Sequence, residues 1–98
     1  IINSGLKMPN AFSPNNDGLN DFFKPLGIGI EFYEIYIYDR WGGLVTEIKS
    51  DNEGWDGRFS NGSLAPDGIY LYKLKCVNRV NPQMRKIYNL NGSVFLNR

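Results

Sequence analysis

The sequence contains no histidine and one cysteine, Cys76. Ser–His and Cys–His nucleophiles are therefore excluded, as is any zinc site built on imidazole. A single cysteine excludes an internal disulfide, so the redox compartment cannot be read from cysteine pairing. No apolar run approaches the length of a membrane-spanning helix. Charge is nearly balanced, with eleven Lys and Arg against ten Asp and Glu, giving +1. That balance offers no electrostatic case for nucleic acid or an anionic membrane. No segment shows a helical period with caps, and there is no internal repeat or low-complexity tract.

What remains is a chain of turns and short extended runs. Ninety-eight residues make about one domain, and 42% apolar with 21% charged residues is an ordinary globular composition. Fourteen aromatic rings and sixteen Gly and Pro favour many short elements joined by tight turns. The chain begins at Ile1 rather than Met, so residues 1–7 are read as a link to a longer parent and 1–98 as a single domain.

The clearest period-two pattern is IEFYEIYIYDR, Ile30 to Arg40. It predicts Tyr33, Ile35 and Ile37 on a core face, with Glu34, Tyr36, Tyr38 and Arg40 on the other. Gly42-Gly43 predicts a tight turn into a strand over Leu44 to Lys49. In DGIYLYKLKCV, Tyr70, Tyr72, Leu74 and Cys76 share one face and Lys73 and Lys75 the opposite one. MRKIYNLNGSVFLNR predicts a closing hairpin turning at Asn91-Gly92, with Val94 and Leu96 facing inward. PDGIY predicts a corner in which the Tyr70 hydroxyl ties back to the backbone. Six or seven short strands predict an all-β, Ig-like antiparallel β-sandwich of about seven strands.

Four segments could carry chemistry. Between Asn10 and Asp21 lie four asparagines and two aspartates. An EF-hand register centred on Gly18 would put Ser13 and Lys24 at the two ends, where carboxylates are required. A shorter calcium loop of Asn15, Asp17 and Asp21 is one reading, and Asx-turns that rigidify the segment are the plainer one. Trp55 and Asp56 in GWDG suit either sugar stacking or a core cap. Arg40 and Trp41 in DRWGG suit either an interface hot spot or a Trp packed under its hairpin, with Arg40 paired to Asp39 or Asp56. Cys76 reads as a small core residue. The turn-borne carboxylates Asp17, Asp21, Asp56 and Asp67 lack any sign of a cleft for glycoside hydrolysis. No enzyme is expected.

Five motifs occur in order: PNAFSPNNDGLNDFF (Pro9–Phe23), IYIYDRWGGLV (Ile35–Val45), GWDGRFSNG (Gly54–Gly62), PDGIYLYKL (Pro66–Leu74) and NGSVFLNR (Asn91–Arg98). Together they resemble the gliding motility-associated C-terminal domain, the type B sorting domain of the type IX secretion system of Bacteroidota. The resemblance implies an Ig-like, non-catalytic targeting domain at the C-terminus of a larger protein. It implies export through the periplasm to the cell surface or medium, by the type IX translocon with a PorP-like outer-membrane protein as partner. Asn10, Pro14, Asn15, Asp17, Gly18, Asn20 and Asp21 match the family's first signature. Arg40, Trp41 and Gly42 match its central one, Trp55, Asp56 and Gly57 its third, and Arg98 its closing residue. Partner contact by these residues is what the resemblance implies, with no cofactor apart from the calcium reading. Gly43 departs from the family's usual asparagine. The alternative is an Ig-like adhesive module that binds glycans or cell surfaces.

Overall fold

A computed structural model describes residues 7–15, 18, 21–27 and 29–98, with residue 80 described by its backbone alone. Among these residues lie five strands and no helix: β1 (Ala11–Phe12), β2 (Ile30–Tyr38), β3 (Leu44–Ser50), β4 (Gly68–Asn81) and β5 (Met84–Leu96). They form one mixed sheet in the order β1-β5-β4-β2-β3. Strands β2 to β5 pair antiparallel, and β1 runs parallel to the end of β5, with Ala11 opposite Phe95 and Phe12 opposite Leu96.

The alternation in the sequence sets the two faces. Tyr33, Ile35 and Ile37 of β2, Tyr70, Tyr72, Leu74 and Cys76 of β4, and Val94 and Leu96 of β5 are all buried. A polar side chain at any of these positions would have to lose its water, which favours this register over a one-residue slip. Cys76 is fully buried, and burial pushes its thiol above the ordinary range. Its Sγ donates to Oδ1 of the buried Asn78 at 3.0 Å.

The layer covering this face differs from the expected sandwich. The all-β class holds, but among the described residues five strands in a single sheet stand where about seven in two sheets are expected. Phe23, Trp55 and Ala65 come from connecting segments and complete the core opposite the sheet. These segments are tied by isolated bridges, Lys7 with Leu26, Phe23 with Trp55, and Arg58 with Leu64. Gly, Asn, Asp and Pro crowd the covering segments, and such residues resist continuous ladders.

The hairpin expected at Asn91-Gly92 is corrected. Both residues lie inside β5, opposite Lys73 and Tyr72, and the β4–β5 turn falls at residues 82–83. Gly92 is there for room, since a Cβ would stand 2.9 Å from the Tyr72 hydroxyl. The long pairing of β4 with β5 outweighs the local preference of Asn-Gly for a turn. CVNRVNPQMRK is thus largely ladder, with only its middle forming the hairpin tip.

Candidate functional site

The tail of β2, the head of β4 and the tail of β5 meet at one end of the sheet, and most of the described signature residues gather there. Tyr70 stands at the centre. Its hydroxyl donates to the Pro66 carbonyl at 2.5 Å, forming the expected corner. Its ring meets Trp55 edge-on at 5.0 Å between centroids, and Trp55 in turn packs on Phe12 at 5.3 Å. Burial, first among the causes, raises the Tyr70 hydroxyl above its ordinary range, with the charges of Arg98, Asp39, Asp67 and Arg40 also acting on it.

Trp55 is a core residue, 2% exposed. Its indole Nε1 donates to the Arg58 carbonyl at 2.8 Å, satisfying the buried donor. The sugar-stacking reading of Trp55 therefore fails on access. Asp56 points to solvent and pairs loosely with Arg58 at 3.7 Å.

Gly57 is the hub of the third signature. It is buried with φ +83°, and a Cβ would meet Arg98 Nη2 at 2.8 Å and Leu96 and Pro14 at 3.2 Å. Its carbonyl accepts from the Ala65 amide at 2.8 Å and from Arg98 Nη2 at 2.5 Å. Arg98 also donates through Nη1 to the Ala65 carbonyl, and its backbone N–H donates to Asp67 Oδ2 at 3.2 Å. Asn97 N–H donates to the Phe12 carbonyl at 3.1 Å. Arg98 is thus a clasp joining β5 to the covering segments, with its side chain 23% exposed.

The central signature is placed differently. Asp39 Oδ1 accepts from the Trp41 and Gly43 amides at 2.9 and 2.8 Å. The Gly42 amide donates to the Asp39 carbonyl at 3.0 Å, with Gly42 at φ +88°. This network fixes the β2–β3 turn. A Cβ at Gly43 would lie 2.9 Å from Asp39 Oδ2, so a larger residue there would have to displace the carboxylate that holds this turn. Trp41 is 79% exposed, and the Arg40 guanidinium stacks over its ring at 4.6 Å. The expectation of a buried Trp41 with an ion-paired Arg40 is corrected: the cation rests on the ring instead. A short cavity beside the pair is lined by Asp39, Pro66, Asp67, Ile69 and Tyr70. On the outer face a shallow groove runs from Tyr38 and Gly42 over Leu71 and Lys73 to Asn91 and Ser93.

In the first signature, Asn10 is exposed and its carbonyl accepts from Phe95 N–H at 3.0 Å. Pro14 lies against Gly57, and the Asn15 amide donates to the Ser13 carbonyl at 2.8 Å. Asp21 Oδ2 accepts from Gly18 N–H at 2.8 Å, the contact that a self-bonded turn requires. Asp17 and Asn20 lie outside the described residues. Among the described residues no three His, Cys, Asp or Glu side chains converge as metal ligands. Sequence reasoning missed Asp39 and Gly57 as organisers of the two turns, although Asp three residues before a Gly-Gly pair is a turn signal.

No curated protein matches the chain. A family model described as CHU_C, type IX secretion signal domain, matches residues 6–95. That span takes in β1 to β5 up to Phe95, the Asp39-fixed turn and the Gly57 hub, so the chain belongs to the CHU_C family of type IX secretion signal domains.

Proposed function

We propose that this domain is recognised as a folded unit, through the sheet end that displays Arg40 and Trp41, by an outer-membrane partner of the type IX machinery. Family membership carries the coarser assignment, a signal that directs an attached protein out of the cell to its surface or surroundings. The finer reading rests on one observation. Trp41 stands 79% exposed on a turn that Asp39 holds rigid, with a guanidinium laid on its ring. Trp and Arg dominate interface energetics, and a pre-fixed pair loses little entropy on binding. The folded state matters because the Arg98 clasp and the packing of Trp55 on Tyr70 join segments far apart in sequence and exist only once these have met.

The partner we propose is a PorP-like outer-membrane protein met during transit through the periplasm, as the ordered motifs imply. The isolated bridges of the covering layer support reading the fold as an Ig-like sandwich whose second sheet is reduced to loops. The role is non-catalytic and needs no metal. Titration with millimolar calcium tests the reading of Asn15, Asp17 and Asp21 as ligands, and a thermal shift would restore it.

The test is a fluorescent reporter carrying a Sec signal and this domain, expressed in a host with the type IX machinery. Export is expected with the intact domain, and periplasmic retention with Trp41→Ala. A reporter that stays periplasmic with the intact domain overturns the proposal.

A further inference from the structure

The two edges of the sheet are unequal. β3 forms one edge, where Ser60 N–H reaches the Val45 carbonyl at 3.3 Å and Glu47 pairs with Lys49 at 3.4 Å. On the other side β1 covers only the end of β5, at Phe95 and Leu96. Among the described residues no strand lies beside β5 from Arg85 to Ser93. The direction of its backbone groups follows from the covered end. Phe95 and Asn97 donate away from β4, to Asn10 and Phe12. In-plane direction alternates along a strand, so Arg85, Ile87, Asn89, Asn91 and Ser93 turn their N–H and C=O groups to the same open side.

Charge is as uneven as pairing. Residues 68–96 hold Lys73, Lys75, Arg79, Arg85 and Lys86 and no Asp or Glu, while all ten carboxylates lie in residues 1–67. Nearby carboxylates come from β2, one strand beyond β4. Glu31 receives both Arg79 and Arg85, at 2.7 and 2.5 Å, and Glu34 sits opposite Lys75. Lys73 lies over the Tyr38 ring at 5.9 Å, and Lys86 over the Tyr88 ring at 5.4 Å. An added strand would lie roughly 5 Å from β5 and about 10 Å from β4. Lys73 and Lys75 would then stand about one Debye length away at physiological salt, near enough to be felt. Exposed Ile87 and Leu90, on opposite faces of β5, supply apolar contacts to either side of such a strand.

The geometry points to the open edge of β5, residues 85–93, as the acceptor of an extended acidic segment of a partner protein, added as a further β-strand. Main-chain hydrogen bonds would give affinity, and the cationic hairpin would select sign. A second copy of the domain is disfavoured as occupant, because self-pairing would bring together two hairpins that each carry cations and no carboxylate. The competing role for the same cations is to guard a bare edge against any pairing. This inference gives a chemistry to the partner of the export reading and rests on that reading for its use in the cell, yet it is measured apart from export.

The probe is a blocked heptapeptide alternating glutamate and valine, titrated into the isotopically labelled domain, with a lysine–valine peptide as control. Expected are shifts and slowed exchange at the amides of 85, 87, 89, 91 and 93, weakening as salt rises, and no response to the control. Asn89→Pro removes one outward N–H and should abolish the response while the Trp55–Tyr70 end keeps its near-ultraviolet dichroism. Should that variant not fold, Lys73→Glu with Lys75→Glu should weaken the acidic peptide severalfold and admit the lysine one. No change at β5 with millimolar peptide would mean an edge that is only guarded, and would overturn the inference. So would equal response to both peptides, response at β3 instead, or self-association in sedimentation without peptide binding. Peptide binding without reporter export would sink the export reading alone, and export without peptide binding would sink this one alone.

Discussion

Arg98 Nη2 donates to the Gly57 carbonyl at 2.5 Å, so the end of β5 is fastened to a turn forty-one residues away. The guanidinium bridges the backbone carbonyls of Gly57 and Ala65, the first of which also accepts from the Ala65 amide. Arg98→Ala takes the side-chain donor from both carbonyls, leaving Gly57 its Ala65 amide, and should cost about 1–3 kcal/mol. For a domain this size, that lowers the melting temperature by roughly 4–8 °C per kcal/mol. Thermal unfolding followed by dichroism reads it, and Arg98→Lys should recover only part of the loss, since one ammonium cannot span both carbonyls.

Gly57→Ala should destabilise through two causes at one site. The residue holds φ +83°, and the new methyl would press on Arg98, Leu96 and Pro14. Left-handed backbone strain alone costs on the order of 1 kcal/mol, and the contact adds to it because two of the neighbours are packed side chains. Urea denaturation should show a lower midpoint with an unchanged slope.

The two tryptophans should separate folding from recognition. Trp55→Ala empties a site lined by Phe12 and Tyr70 and should cost about 3–5 kcal/mol. Trp41→Ala removes a solvent-exposed ring and should change stability by less than about 0.5 kcal/mol. Only a variant that stays folded and fails in the reporter assay identifies a contact residue, and Trp41 is the expected one.

Alkaline pH should weaken the fold through Tyr33. Burial first, then the carboxylates of Asp51 and Glu53, push its hydroxyl up to about 12, and the hydroxyl donates to the Glu53 carbonyl. The folded state holds the proton more tightly than the unfolded chain, which ionises near 10. The contribution is therefore complete below about pH 10 and is lost as pH rises toward 12, at no more than about 1.4 kcal/mol per pH unit. Tyr33→Phe should flatten this part of the stability–pH curve, although Tyr70 and Tyr72, also raised by burial, leave a residual slope.

Gly92→Ala tests the corrected hairpin. In a turn at Asn91-Gly92 the substitution would act through positive φ. Inside β5 it acts by crowding, because its methyl would meet the Tyr72 ring and hydroxyl. Tyr72→Leu should therefore relieve part of the cost of Gly92→Ala, giving a favourable coupling in a double-mutant cycle. Additive effects would argue for a turn.

The sequence disclosed those features whose cause is local. The faces of β2 and β4 follow from side-chain alternation, and the Tyr70 corner from a four-residue motif whose hydrogen bond spans only four positions. The turn expected at Asn91-Gly92 gives way to a strand because its local preference competes with a partner strand that no local window contains. β1 is two residues long and exists only because Phe95 and Leu96 pass beside it. The exposure of Trp41 depends on how Asp39 closes its turn, and the Arg98 clasp on carbonyls set by Gly57 and Ala65. Neither is written in a period.

The parallel pairing of Ala11–Phe12 with Phe95–Leu96 also sets an order of events. The β2–β3 and β4–β5 hairpins join neighbours in sequence and can close quickly. The β1–β5 ladder must bring positions 11 and 95 together, a loop nearly as long as the domain, and its closure is entropically the most expensive in the sheet. That places the seal around Phe12, Trp55 and Arg98 late in folding. Until both flanks have met, the surface at the Tyr70 end is incomplete, and on the proposed reading recognition would wait for that closure.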